Sequence, residues 1–280
     1  MMQIITEFTP EPVAGVIAGF RQYSSTQTPL PCWLLLRGLI REQRHWGDFP
    51  RRLADRLNAR VLCVDLPGNG QRYREPSPPQ LTALLAQVRQ HLAAQLPDTL
   101  SQPINLLGLS MGGMIATVWA RRYPQQVQSL VLINSSFGDL SPPWRRIRPA
   151  ALARLLGALM RTIESREQII YDLTCSRSDI RDLTLEAWVR YARDCPVSLA
   201  NFLRQLLASA GCRNGRGRPT PPALILTSDD DRLVNPTCSK AIAQHWQARL
   251  LRHPSAGHDL PHDDPDWVLE QIQRWLQARA

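Results

Sequence analysis

Ile104-Asn105-Leu106-Leu107-Gly108-Leu109-Ser110-Met111-Gly112 is the stretch whose reading decides the fold. An apolar run ends in a Gly-x-Ser-x-Gly turn, and the residues that follow, up to Arg122, can form a helix. Strand, turn and helix in that order are the context of a nucleophile elbow. So tight a turn holds its serine in a strained backbone conformation. The residues two before and two after must then lack side chains, and Gly108 and Gly112 supply that room.

Outward from the elbow, short runs rich in Val, Ile and Leu alternate with helical segments, the pattern of a mostly parallel sheet covered on both faces. Strands are predicted at Trp33–Leu36, Val61–Asp65, Ile104–Leu109, Leu130–Asn134, Ala223–Thr227 and Ala248–Arg252. Helices are predicted at Gly47–Ala59, Gln80–Gln95, Met111–Arg122, Pro236–His245 and Pro265–Ala278, the last with Val268, Ile272, Trp275 and Leu276 on one side. From about Ser135 to Gly215 the alternation breaks into three or four amphipathic helices. In one of them, Pro196–Ala210, the residues Leu199, Phe202, Leu203, Leu206 and Leu207 share a stripe. The expected organisation is α/β, a doubly wound mostly parallel sheet with its first part at 1–134, inserted helices at 135–215 and its second part at 216–280.

A serine hydroxyl needs a base, and in this elbow the chain order is Ser, acid, His. His245 falls inside a helix and His253 ends a strand. His258 sits in a loop beyond a strand's carboxyl end, where ligand chemistry collects in open α/β sheets. His262 reads as an exposed residue before the last helix. The acid is sought after the preceding strand, in Ser228-Asp229-Asp230-Asp231-Arg232-Leu233-Val234, where three carboxylates compete. A solvated turn and a helix cap describe Asp229 and Asp230 well, and Asp65, ahead of the serine, reads as holding the turn Leu66-Pro67-Gly68-Asn69-Gly70.

These residues resemble the α/β-hydrolase superfamily over nearly the whole chain outside the insertion. The match rests on Arg37-Gly38, Asp65-Leu66-Pro67-Gly68-Asn69-Gly70, the elbow, the acid motif around Asp231, and Gly257-His258. The resemblance implies a triad of Ser110, Asp231 and His258, an oxyanion hole from the backbone N–H groups of Leu39 and Met111, and a helical cap over the site. It implies an esterase-like serine hydrolase acting on a carboxylic ester or thioester of a small acyl substrate, without cofactor or metal. A serine at the elbow argues against a haloalkane dehalogenase, whose pattern has Asp there. The competing readings are an amide-cleaving aminopeptidase of the same plan and a binding protein that keeps the scaffold. Two positions depart from the pattern: Ser228 stands for Gly, and Arg37 for the common His. The side chain of Arg37 then either meets an anionic substrate group or supports its loop, the second being favoured.

The totals set bounds. With 280 residues, 44% of them hydrophobic, there is enough apolar material for a large core. Lys and Arg number 33 against 24 Asp and Glu, a net charge of +9. Only Lys240 is lysine, and the arginines are spread along the chain. With no zinc motif, basic block or aromatic-rich stretch beside them, nucleic acid is not the expected partner. An acidic carrier protein at the cap is the partner worth testing, through Arg145, Arg146, Arg148, Arg154, Arg161 and Arg166; solvated helix faces are the plainer account. Cys32, Cys63, Cys175, Cys195, Cys212 and Cys238 form no CxxC pair and read as reduced thiols of a cytoplasmic protein. Glu7 and Glu11 argue against a signal peptide, and no apolar run is long enough for a membrane span.

Overall fold

The computed structural model describes residues 20–23 and 30–279, so the reading made at Glu7 and Glu11 lies outside the described residues. Seven strands form one sheet: β1 (Phe20–Tyr23), β2 (Cys32–Leu36), β3 (Arg60–Val64), β4 (Ile104–Leu109), β5 (Val127–Ile133), β6 (Ala223–Ser228) and β7 (Arg249–His253), in the order β1-β3-β2-β4-β5-β6-β7. All neighbours run parallel except β1, which pairs antiparallel with β3. The helices are α1 (Phe49–Leu57), α2 (Leu81–Gln95), α3 (Met111–Arg122), α4 (Pro143–Arg146), α5 (Pro149–Ala158), α6 (Ile163–Thr174), α7 (Arg181–Asp194), α8 (Leu199–Ala210), α9 (Thr237–Trp246), α10 (Leu260–Asp263) and α11 (Pro265–Gln277). Helices α4 to α8 all fall between β5 and β6. The strand β1, Phe-Arg-Gln-Tyr, was not predicted: four residues with a polar pair at their centre give no apolar run.

The period of two along each strand separates two cores. Leu34, Leu36, Leu62, Leu106, Leu130 and Leu132 face α2, α3 and α9, where Ile115, Trp119 and Trp246 fill the space. Leu35, Val61, Leu107, Val131, Leu224 and Leu226 face the other way, onto Phe49 and Leu53 of α1 and Val268, Ile272 and Trp275 of α11. Strand β4 is buried at all six positions, as a central parallel strand must be when both faces are covered. Local chemistry sets the helix starts: the Asp264 side chain accepts from Trp267 N ahead of α11, and Ser198 does the same for Asn201 N at α8.

Helix α8 departs from the expected stripe. Leu199, Leu203 and Leu207 are exposed (56, 42 and 62%), whereas Asn201, Phe202, Gln205 and Ala208 are buried. The inward polar pair is consumed by the loop after β3. Asn201 accepts from Ser77 N (2.9 Å) and donates to Glu75 O (3.0 Å), and Gln205 donates to Asn69 Oδ1 (2.9 Å) and Ser77 Oγ (2.8 Å). A helix laid on a loop has to satisfy backbone and amide groups, so its buried face is polar. Among the described residues, no helix is long and apolar enough to cross a membrane.

Candidate active site

The carboxyl ends of β2, β4, β5, β6 and β7 are adjacent and point to one edge of the sheet. Ser110 follows β4 with φ +56° and ψ −118°, a conformation that few side chains adopt. The surrounding backbone leaves no room for relaxation. A Cβ at Gly112 would lie 2.0 Å from Leu36 O, and one at Gly108 would lie 2.4 Å from Gly113 N. The elbow is further tied by Ser110 N donating to Ile133 O (2.9 Å). Gly38, after β2, comes up against the serine itself, since a Cβ there would sit 3.2 Å from Ser110 Cβ.

Asp231 follows β6 and is 2% exposed. One carboxylate oxygen accepts from Leu233 N and Val234 N (2.8 Å each), and the other is 2.7 Å from His258 Nδ1. Two of its four lone-pair sites thus anchor the acid to its own turn while a third orients the imidazole. Asp229 instead pairs with Arg252 across the edge, and Asp230 is exposed. His258 is 3% exposed, and its carbonyl accepts from Asn134 Nδ2 (2.8 Å). Asn134, with φ +47°, also accepts from Ser228 N (3.0 Å), tying the ends of β5 and β6 to the histidine loop.

Two small cavities meet at Ser110. One, of about 60 Å³, is lined by Gly38, Leu39, Ser110 and His258; the other, of about 160 Å³, by Leu39, Ser110, Met111, Leu155 and Leu206. A third, of about 360 Å³, shares Ile40 and Arg41 with the first and runs out under α5 and α8. The five residues expected from sequence are therefore assembled in one place: Ser110, Leu39 and His258 line the first cavity, Met111 lines the second, and Asp231 stands behind the histidine.

The other histidines have other surroundings. His253 Nδ1 accepts from Ala256 N (2.9 Å), and its Nε2 is 3.1 Å from Asp264. His245 is exposed and 2.7 Å from Arg216 O. The expectation of an exposed His262 is corrected. Its ring packs 5.8 Å from both Tyr171 and Trp188 because α10 turns back beneath α6 and α7, and burial holds its pKa below the usual value. Asp65 holds its turn, accepting from Gln43 N (2.8 Å), Gln43 Nε2 (2.9 Å) and Gln71 N (3.0 Å). Burial, with Glu42 nearby, pushes its pKa up to about 7.

Arg37 is 2% exposed and, with Asp259, borders the small cavity beside Ser110. Its guanidinium forms a fork with Asp259, at 3.1 and 2.5 Å, and lies 4.6 Å over the Trp46 ring. The support it gives its loop runs through an ion pair and not through backbone hydrogen bonds. Asp259 gave no signal of its own in the sequence, although an arginine where the common residue is histidine asks for a buried acid. Gln205 was also missed: its Oε1 accepts from Ile40 N (3.0 Å), so α8 grips the loop that carries Leu39. Among the described residues, Cys175, His262 and Asp263 bring possible metal ligands within 4.8 Å of one another. The Asp263 carboxylate, however, already accepts from Ser176 N, Arg177 N and Gly257 N, which makes it a clamp between two loops.

The chain belongs to the alpha/beta hydrolase family, whose model matches residues 33–271. Its relatives include a lipase, an esterase and other hydrolases, and it is an enzyme of the α/β-hydrolase class. It is 40% identical over 224 residues to a pimeloyl-[acyl-carrier protein] methyl ester esterase of Chromobacterium violaceum, covering 76% of this chain and 83% of that protein. It is 31% identical over 225 residues to a 2-hydroxy-6-oxononadienedioate/2-hydroxy-6-oxononatrienedioate hydrolase of Burkholderia vietnamiensis, covering 76% and 75%. Among solved structures it resembles in fold the enol-lactonase of Burkholderia xenovorans, with a TM-score of 0.74 at 17% identity over 92% of this chain and 95% of that one.

Proposed function

We propose that the protein is a serine hydrolase that cleaves a carboxylic ester or thioester through an acyl-enzyme on Ser110. The 2.7 Å contact between His258 Nδ1 and Asp231, behind a serine held at positive φ, carries this reading. A carboxylate only accepts, so the proton sits on Nδ1 and the Nε2 lone pair is free to take the serine proton. Attack on the carbonyl gives a tetrahedral oxyanion. Leu39 N–H and Met111 N–H are the assigned donors, the second being a first-turn N–H of α3 with no partner four residues back. The protonated imidazole then returns its proton to the leaving alcohol or thiol, and water, activated by the same base, releases the acid. In this reading residues 135–215 act as the cap.

Ser110→Ala is expected to retain the wild-type melting curve and to lower hydrolysis of short nitrophenyl esters by several powers of ten. A fluorophosphonate should label the wild type at Ser110 and leave the variant unlabelled. Turnover at the wild-type rate in Ser110→Ala would sink the assignment. An amide-cleaving peptidase would use the same groups, and an ester and amide panel separates the two. A non-catalytic binder would take no label.

One observation favours a carrier-bound substrate. Leu199 and Met160 are exposed at the cavity of about 360 Å³, Leu203 and Leu207 are exposed further along α8, and Arg161 and Arg204 are exposed beside Met160 and Leu203 in sequence. An apolar stripe rimmed by cations suits an acidic carrier whose acyl arm enters between α5 and α8. Arg146 and Arg148 do not share in that role: they are spent on Ala210 O and Asp231 O. Rates on a carrier-bound ester that fall with added salt, while those on the free ester do not, are expected; equal salt response would remove the carrier. The six thiols are unpaired, four of them buried, and support a cytoplasmic setting.

A further inference from the structure

We propose that Arg37 and Asp259 form a positioning strap that holds the loop of Leu39 and the loop of His258 in fixed register on either side of Ser110. The inference rests on the reading of Ser110 and His258 as nucleophile and base.

The strap joins two segments 222 residues apart in sequence. Arg37 directly precedes Gly38 and Leu39, and Asp259 directly follows His258. Each end is also fixed behind. Asp259 N donates to Thr174 O at the end of α6 (2.7 Å), Asn134 holds the His258 carbonyl, and the Arg37 guanidinium is stacked on buried Trp46. A two-point fork between planar groups fixes orientation as well as distance, which a lysine cannot do. That matters because an oxyanion donor and a base have to address one tetrahedral centre from opposite sides. Displacing one by about 1 Å costs roughly 100-fold in rate. Stability does not account for the pair, since a buried ion pair replaced by apolar side chains of similar volume is often no less stable.

Asp259 is held as an anion for this fork. Burial alone would raise its pKa, but the charge and hydrogen bonds of Arg37, with help from His262 and His258, hold it below the usual range. Arg37 and Asp259 are each 2% exposed, so removing either one leaves the other a buried, unpaired charge.

The test uses Arg37→Leu, Arg37→Lys, Asp259→Asn and the double variant Arg37→Leu/Asp259→Leu in the full chain, each checked by its melting curve. Each single variant should lose about 100-fold in kcat on a short nitrophenyl ester with KM unchanged, and Arg37→Lys, which keeps the charge but not the fork, should recover little of it. The double variant, which buries no lone charge, should keep the wild-type melting curve and still lose kcat, which separates the strap from the stability of the pair. If a single variant fails to fold, the double variant carries the test through its kcat. Folded variants with wild-type kcat, a loss that falls on KM instead of kcat, or full recovery in Arg37→Lys overturn the proposal. A wild type that takes no fluorophosphonate sinks the nucleophile reading; a labelled wild type whose variants keep kcat sinks the strap alone.

Discussion

The sheet side of the site and the helices above it are held together by different means. Below, backbone does the work: Ser110 sits at positive φ because Gly108 and Gly112 let β4, α3 and the end of β2 touch, and Asp65 and Asp231 each accept backbone N–H groups of their own or a neighbouring turn. Above, side chains do it: Gln205 and Asn201 of α8, Arg148, and the Arg41–Glu167 pair at 2.6 Å carry the contacts that seat α4 to α8 on the loops below. Backbone geometry tolerates almost no substitution, whereas a side-chain contact can be built in many ways. Under the proposed function the first region fixes the chemistry, and the second is free to change the substrate.

The largest effect is expected where the backbone is tightest. Gly112→Ala places a methyl carbon 2.0 Å from Leu36 O, which forces β2 and α3 apart and should cost at least about 3 kcal/mol in denaturant unfolding. A loss under about 1 kcal/mol would mean that the elbow is softer than this comparison holds.

Next comes a pH effect confined to the lower region. The folded state keeps the Asp65 proton up to about pH 7, whereas the unfolded chain releases it near the ordinary carboxylate value of 3.8. Between those values the folded state binds more protons, so stability should fall as pH rises through the window, by roughly 1.4 kcal/mol per pH unit within it, and level off above it. Asp65→Asn should be less stable overall, since one acceptor is lost, yet show a flatter profile of melting temperature against pH. An unchanged slope would remove Asp65 from the account.

How far the sequence could be read follows the same division. The runs at β2 to β7 and the helices at α1, α2, α3, α9 and α11 were predicted to within a few residues, because each buries a face whose period is visible in the chain. That Ser110, Asp231 and His258 gather at one end of the sheet could be read because an elbow and strand ends leave fixed spacings. What could not be read was pairing. Nothing in the spacing says that Arg37 meets Asp259, or that Asn201 and Gln205 turn inward while Leu203 turns outward. Apolar periodicity marks the buried side of a helix only when that side meets other apolar groups, and α8 meets a loop.

Gln205 tests the upper region directly. Gln205→Leu keeps the volume but leaves Ile40 N and the Asn69 side chain without their buried partner, a cost of about 1–3 kcal/mol in stability. Because Ile40 follows Leu39, kcat should also fall, by about tenfold, with less change in KM. Loss of stability with wild-type kcat would show that α8 seats on the loop without influencing the oxyanion donor.

The smallest effect is expected on the outward stripe. Leu203→Gln and Leu207→Gln, at positions 42% and 62% exposed, should change stability by no more than about 0.5 kcal/mol, since little apolar area is removed from water there. Leu206, between them in sequence, lines the cavity beside Ser110, and Leu206→Gln puts an amide where the acyl group is expected to lie. That variant should raise KM for a butyrate ester while the two outward ones leave it unchanged. If instead Leu203→Gln and Leu207→Gln destabilise the protein as a core substitution would, the stripe is covered by something in solution, and the division between a polar inner face and a free apolar outer face of α8 is wrong.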